Sequence, residues 1–442
     1  MTVTAAIGTL TEAEHRAQLR RALVASTVGT TIEWYDFLLY GTVSALIFGP
    51  IFFPQSDPLM GVLQSFGVFF IGFVGRPIGA AIFGHWGDRI GRKATLIATL
   101  LLTGLATTAV GLVPTYESIG MWGAVLLTLL RLIQGIGVGG EWGGSVLLAM
   151  EWARTNRNRG FVSAWPQFGA PCGLFLANCA VLGFSFLAGD DFKVWGWRIP
   201  FLISIVMVGI GMWIRLGISE TPVFLKVVEE QRVERVPVLE VLKRQPRQVI
   251  LSALLRLPEQ GPGFIVGTFI FTYATAVLGQ TRNFVLMAVI TQTVIGFLWV
   301  VCAGALSDRI GRKNMYMIGA ASMGIFGFIY FAMLNTGIPW VIFVAIAISL
   351  VPIMTQYGPE AALIAESFSP RLRYSGTSIG YQLASIIAGG PAPIIATWLF
   401  ATFHSSLPIA LYILLLAIIG IIATAMLTDY TGKDISAEYA GV

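Results

Sequence analysis

The stretch Gly84-His85-Trp86-Gly87-Asp88-Arg89-Ile90-Gly91-Arg92-Lys93 sets four charges in six residues between two long apolar runs. The same pattern returns 220 residues later, at Gly304-Ala305-Leu306-Ser307-Asp308-Arg309-Ile310-Gly311-Arg312-Lys313. A repeat at half the chain length means that one half was built on the plan of the other. Charges this dense between apolar runs belong in a tight polar turn at a membrane surface.

Working outward, 56% of the 442 residues are hydrophobic, only 12% are charged, and the mean hydropathy is +0.78. A soluble domain carries about 25% charged residues, so nearly all of this chain lies in lipid or against other buried helices. At about 20 residues per span there is room for about a dozen helices. The apolar runs predict them at 22–48, 60–84, 94–113, 119–149, 160–187 and 199–218, then at 248–277, 284–304, 314–334, 339–359, 374–402 and 406–427. The expected fold is an all-α membrane protein with twelve transmembrane helices in two pseudo-symmetric six-helix bundles, 22–218 and 248–427. Segment 1–21 precedes them, 219–247 links them, and 428–442 forms a tail.

The net charge of +5 does not point to nucleic acid, because the basic residues sit in alternate loops. With the N-terminus inside, 21 Lys and Arg fall on the cytoplasmic side and only Lys193, Arg198 and Arg282 on the other. That bias places both termini in the cytoplasm. The apolar run after Arg20-Arg21 is too long for a signal core, so no cleaved signal peptide is expected. Cys172, Cys179 and Cys302 lie in apolar runs and read as small buried side chains without disulfides. After Ser219-Glu220-Thr221-Pro222, the linker reads as a solvated tether, with a surface amphipathic helix as the other option.

Several charges fall inside the spans. Glu33, Asp36, Phe37 and Tyr40 follow i, i+3, i+4, i+7 spacing, which puts two carboxylates and two aromatics on one helix face. Arg76 lies eight residues inside its run, about 12 Å from the surface, too deep to snorkel without strain. Arg131, Gln134, Glu141, Trp142 and Ser145 form one stripe, and Arg256, Glu259, Gln260 and Gly263 another. Pro258 and Pro262 should break that last helix and free carbonyls. Each such charge costs about 2.5–3.5 kcal/mol on insertion scales, so the set must face an interior and pair. Four acids meet three arginines, with Glu360 left out of the count as lying at a helix end. One carboxylate is in surplus, and an acid that can be neutral or charged is what proton coupling requires. The arginine forks suit a carboxylate ligand. Gln356, Tyr357, Tyr381 and Gln382 offer groups that read hydroxyls or bond neighbouring helices.

The repeated loop resembles the signature of the major facilitator superfamily, where it joins the second and third helices of each half. Ile32-Glu33-Trp34-Tyr35-Asp36-Phe37, Arg131-Leu-Ile-Gln134-Gly135 through Glu141-Trp142-Gly143-Gly144, and Trp195-Gly-Trp197-Arg198-Ile-Pro200-Phe201 resemble its metabolite:H+ symporter family. Arg256-Leu-Pro-Glu259, Arg373-Tyr374-Ser375-Gly376 and Gly380-Tyr381-Gln382 look most like the shikimate transporter branch, whereas the Pro-Glu-Gln-Gly-Pro run at 258–262 departs from it. The resemblance implies a carrier with a central site open alternately to each side, and proton-linked uptake of an organic acid or osmolyte. It implies proton coupling through Glu33, Asp36, Arg131 and Glu141. It implies a substrate site drawn from Tyr40, Arg76, Gln134, Trp142, Arg256, Glu259, Gln260, Gln356, Tyr357, Tyr381 and Gln382. A cytoplasmic gate would be formed by Asp88, Arg89, Arg92, Glu151, Asp308, Arg309, Arg312 and Glu366. Within it Asp88 would accept hydrogen bonds at a facing helix end, Arg92 would pair with Glu151, and Arg312 with Glu366.

The expectation is therefore a proton-coupled importer of a small organic acid, shikimate-like or a related carboxylate, in a bacterial cytoplasmic membrane. It would work as a monomer in the bilayer, with no cofactor other than the coupling proton. A betaine or proline symporter is the first alternative; about fifteen residues without heptads follow the last helix, which disfavours the osmosensing kind. A membrane enzyme is disfavoured because His15, His85 and His404 are scattered and no metal cluster is spelled out. A receptor would want an appended signalling domain. The glycines at 135, 137, 139, 140, 143 and 144 have no preceding strand and no Gly-Lys-Ser/Thr, so they read as close helix packing and not as a nucleotide loop.

Overall fold

The computed structural model describes residues 11–90, 92–151, 158–217, 237–369 and 372–433, with the side chains of 15, 88–90, 92, 151 and 237 outside the description. Eleven helices among the described residues are long and apolar enough to cross a membrane. They are α1 (Glu12–Phe52), α2 (Pro58–Ile90), α3 (Arg92–Leu112), α4 (Trp122–Glu151), α5 (Arg159–Ala188) and α6 (Arg198–Leu216) in the first half. The second half has α8 (Arg282–Ile310), α9 (Arg312–Leu334), α10 (Pro339–Glu366), α11 (Arg373–Phe403) and α12 (Leu407–Met426).

The twelfth predicted span, α7, covers 246–277 in pieces. Helices Pro246–Leu255 and Leu257–Phe264 meet at Arg256, and wider π turns follow at Ile265–Phe269 and Tyr273–Val277. Pro258 and Pro262 each lack the amide that an unbroken helix needs, which accounts for the interruption. α1 carries a π turn at Ser44–Phe48, close to the position that the repeat distance assigns to Ile265–Phe269. α1 also begins ten residues before its apolar run. Thr11 and Glu14 form a capping box there, the Thr11 amide donating to the Glu14 carboxylate at 2.8 Å.

The halves meet along two seams related by the repeat. α5 packs on α8 and α10, and α2 packs on α11. Within the first half, the close approach of α2 and α4 rests on glycine. A Cβ at Gly135 would lie 1.9 Å from the Gly72 carbonyl oxygen, and one at Gly139 would lie 1.9 Å from that of Arg76. The glycine-rich part of α4 is thus a packing surface against α2.

Three expectations need correction. Glu360 is not at a helix end; it lies inside α10, fully buried. Cys172 and Cys179 are half-buried and Cys302 is exposed, because a thiol is apolar enough to sit on the helix surface that lipid would cover; all three are free. In the linker, Pro237–Arg244 is helical, and the remainder up to 236 lies outside the described residues.

Replacing Gly with Ala normally favours a helix by about 1 kcal/mol, whereas overpacking costs about 1–3 kcal/mol. Gly135→Ala should therefore lower the melting temperature of the purified protein in detergent by several degrees. Gly67→Ala in α2, where no atom lies within 4 Å of the new Cβ, should leave it unchanged or raise it. Equal melting temperatures for both variants would contradict the α2–α4 contact.

Candidate functional site

A cavity of about 70 Å³ lies between the halves, lined from α1, α5, α7 and α10. Trp34 and Leu38 come from α1, Ala170, Pro171 and Leu174 from α5, Glu259, Gln260, Gly263 and Phe264 from α7, and Leu350, Met354 and Tyr357 from α10. Of the predicted substrate residues, Glu259, Gln260 and Tyr357 reach this wall. Tyr40, Arg76, Gln134, Trp142, Arg256, Gln356, Tyr381 and Gln382 are buried around it without lining it.

Behind the wall in the second half, every nitrogen of Arg256 is engaged. Nε pairs with Glu360 at 2.6 Å, Nη1 donates to the Tyr381 carbonyl at 2.5 Å, and Nη2 pairs with Glu259. The guanidinium also lies 3.2 Å from the Tyr381 ring centre. Arg256 was expected to offer its fork to a ligand, but that fork is already taken by two protein carboxylates. Removing Arg256 would strand two buried carboxylates, at a cost of about 3–5 kcal/mol for each broken pair. The break in α7 at Arg256 is what aims the side chain at both acids.

The first half is arranged differently. Glu141 is tied to Arg215 of α6 and accepts from Thr99 Oγ1 at 2.8 Å. Arg215, absent from the sequence-based set, is buried and completes a pair; its place near the end of an apolar run hid it. Asp36 accepts from Ser204, while its Oδ2 has no partner among the described residues. Glu33 Oε2 likewise has none. Arg76 and Arg131 pair with no carboxylate among the described residues. Arg76 lies 3.9 Å from the Phe37 ring centre and 5.1 Å from that of Trp34, with Nε and Nη2 unpartnered. Arg131 rests 4.1 Å from the Tyr40 ring centre, bonded only through Nη1 to Gln134. Stacking on ring faces offsets part of the cost of burying a cation, but leaves the guanidinium edges open. The expectation that all the charges pair thus fails for four of them. Gln134 is a tie: its Nε2 donates to the Asp36 carbonyl at 2.9 Å and to Thr107 Oγ1 at 2.6 Å.

Between the cavity and the repeated loops, the halves touch through Trp142, stacked on Tyr381 at 3.5 Å and 17°. Trp142 Nε1 donates to Gln167 at 2.7 Å, and Tyr374 donates to the Gly140 carbonyl at 3.1 Å. Nearer the loops is an ionic cluster. Asp308 accepts from the amides of Gly160 and Phe161 at 2.9 Å each, at the exposed N-terminus of α5. Arg312 pairs with Asp308 at 3.0 Å and, as expected, with Glu366 at 3.1 Å. Arg159 of α5 pairs with Glu366 at 2.9 Å and crosses from one half to the other. It had been assigned to a loop, and its burial comes from tertiary packing that the loop assignment could not register. Arg309, predicted for the gate, is exposed and outside the cluster, since one residue along a helix turns it away. Asp88, Arg89, Arg92 and Glu151 have side chains outside the described residues. At the opposite end, Phe264 packs on Phe73 and Phe69 at 4.9 and 5.8 Å, and Ser185 donates to Asn283 at 3.0 Å. The halves therefore touch on both sides of the cavity.

Residues 144–403 match the profile of the MFS/sugar transport protein family, and residues 21–236 that of the sugar (and other) transporters. The chain is 41% identical to the inner membrane metabolite transport protein YhjE of Escherichia coli, over 91% of this chain and 92% of that protein. It is 38% identical to the E. coli shikimate transporter, over 93% and 95% respectively. Among solved structures, the E. coli proton:xylose symporter XylE superposes with a TM-score of 0.76 at 19% identity, over 96% of this chain and 98% of that one, which shows the shared fold. With its repeated loops, twin six-helix plan and central cavity, this chain belongs to the major facilitator superfamily, as a multi-pass membrane transporter of the metabolite and sugar type and not an enzyme.

Proposed function

We propose that the chain imports a small organic acid together with a proton by alternating access. The observation that carries this reading is the uneven satisfaction of the buried charges. In the second half Arg256 is held by both Glu259 and Glu360, and Arg215 is held by Glu141. Glu33, Asp36, Arg76 and Arg131 instead sit within one bundle with unmet polar atoms and no ion pair among them. Glu33 and Asp36 can take or release a proton without breaking a salt bridge. Arg76 and Arg131 have free donors that a substrate carboxylate would satisfy. A carboxylate arriving in this bundle changes the local charge, and a proton on Asp36 or Glu33 offsets that change. Likeness to a shikimate transporter supports an acid as cargo.

The loops carrying the repeat would face the cytoplasm of a bacterial inner membrane, with both termini inside, and the chain would act as a monomer with the proton as coupling ion. The Asp308–Arg312–Glu366–Arg159 cluster would then latch the inner side, and the Phe69, Phe73 and Phe264 seam would close the outer side. Rocking of the halves exchanges one closure for the other, and the π turns in α1 and α7 mark where those helices can bend.

Asp36→Asn should abolish acid-driven accumulation in proteoliposomes while leaving folding intact; normal accumulation would remove Asp36 from coupling. Arg76→Gln should weaken binding of a carboxylate at least tenfold and hardly change binding of its neutral amide. Equal losses for both would make Arg76 structural. Asp308→Asn should slow turnover several-fold with little effect on affinity, and a large affinity change with intact turnover would contradict a latch role.

A further inference from the structure

Resting on the reading of the site as one for an organic acid, we infer that the cargo is a monocarboxylate with an apolar body, not a polyhydroxylated acid or a dicarboxylate. The cavity wall is mainly hydrocarbon and ring, with Trp34, Leu38, Leu174, Phe264 and Met354 covering much of it. Few polar groups reach the wall: Glu259 and Tyr357 are engaged by protein partners, whereas Trp34 Nε1 and Gln260 Oε1 have none among the described residues. Glu259 is held by Arg256, and the Tyr357 hydroxyl bonds that of Tyr381 at 3.1 Å. Gln260 keeps one unpartnered acceptor, Oε1, and Thr268 adds one hydroxyl.

A ring with three hydroxyls brings three donors and as many acceptors, each of which must find a partner once water is excluded. The groups that the sequence offered for that task are turned elsewhere. Gln356 Nε2 donates to the carbonyls of Pro258 and Pro352 at 3.4 and 3.3 Å, and Gln382 Nε2 to that of Gly139 at 3.5 Å. An apolar ring loses nothing at such a wall and gains contact with it.

The charge pattern limits the ligand to one carboxylate. Arg76 lies against the Trp34 indole, whose ring forms part of the wall, and has two free nitrogens. Those nitrogens, behind the Trp34 ring, offer an anchor for an anion. Glu259, also on the cavity wall, shares a single arginine as ion-pair partner with Glu360. A second carboxylate pointing that way would meet an excess of negative charge.

The test is a matched series titrated into the purified full-length protein by calorimetry at fixed pH. The ligands are cyclohex-1-ene-1-carboxylate, its trihydroxylated counterpart shikimate, succinate, and glycine betaine as a zwitterionic control without net charge. Cyclohex-1-ene-1-carboxylate should bind at least tenfold more tightly than shikimate or succinate. Shikimate or succinate binding as tightly or more tightly would overturn the inference and leave the organic-acid reading standing. Binding of betaine alone, or of none of the three acids, would overturn both. Met354→Gln, which adds an amide to the wall at nearly constant volume, should narrow the preference over shikimate several-fold. An unchanged ratio in a folded Met354→Gln protein would count against the inference.

Discussion

A hydrocarbon layer has no water to solvate a charge, so each ionised side chain in a span must be turned inward and given a partner of some kind. Arg76, Arg131, Arg215 and Arg256, together with Glu33, Asp36, Glu141, Glu259 and Glu360, are all buried between helices. Their positions decide which face of each helix points to the centre, and so they orient α1, α2, α4, α6, α7 and α10 about one axis. The glycine contacts between α2 and α4 then set how closely those faces approach.

Partners are distributed unequally, and function follows from that inequality. Arg256 binds two acids and a carbonyl, and Glu141 holds Arg215. Such saturated groups join helices and have little left to offer a ligand. The set around Asp36 and Arg76 relies on ring faces and single hydrogen bonds, and its remaining atoms are unmet. Unsatisfied buried polar atoms cost free energy in the resting protein. A cargo carboxylate and a proton are the two species that together would relieve that cost without changing the net charge.

Much of the architecture was legible in residue order. The repeat at Gly84–Lys93 and Gly304–Lys313 gave two halves, apolar runs gave the spans to within a few residues for most helices, and Pro258 with Pro262 marked the broken α7. The pair Arg312–Glu366 was also expected, from the resemblance of the repeated loop to the superfamily signature. Partner choice was less legible. Arg159 and Arg215 sit near span ends, where sequence alone reads a solvated loop or a snorkelling side chain, yet packing buries both. Glu360 was misplaced because the apolar run ends at 359, whereas α10 continues to Glu366. Helical spacing reports which residues share a face, not which neighbour that face meets. For that reason the engagement of Arg256, Gln356 and Gln382 by protein groups emerged only in three dimensions.

Coupling between acid and proton is most directly measured as proton movement in the absence of any imposed gradient. Lightly buffered proteoliposomes containing the wild-type chain should alkalinise the external medium when a transported carboxylate is added. The signal should exceed that of protein-free liposomes, which report passive entry of the neutral acid, and should vanish with Asp36→Asn while substrate binding persists. Carboxylate entry through the wild-type protein with no proton signal above the protein-free control would contradict proton-coupled symport.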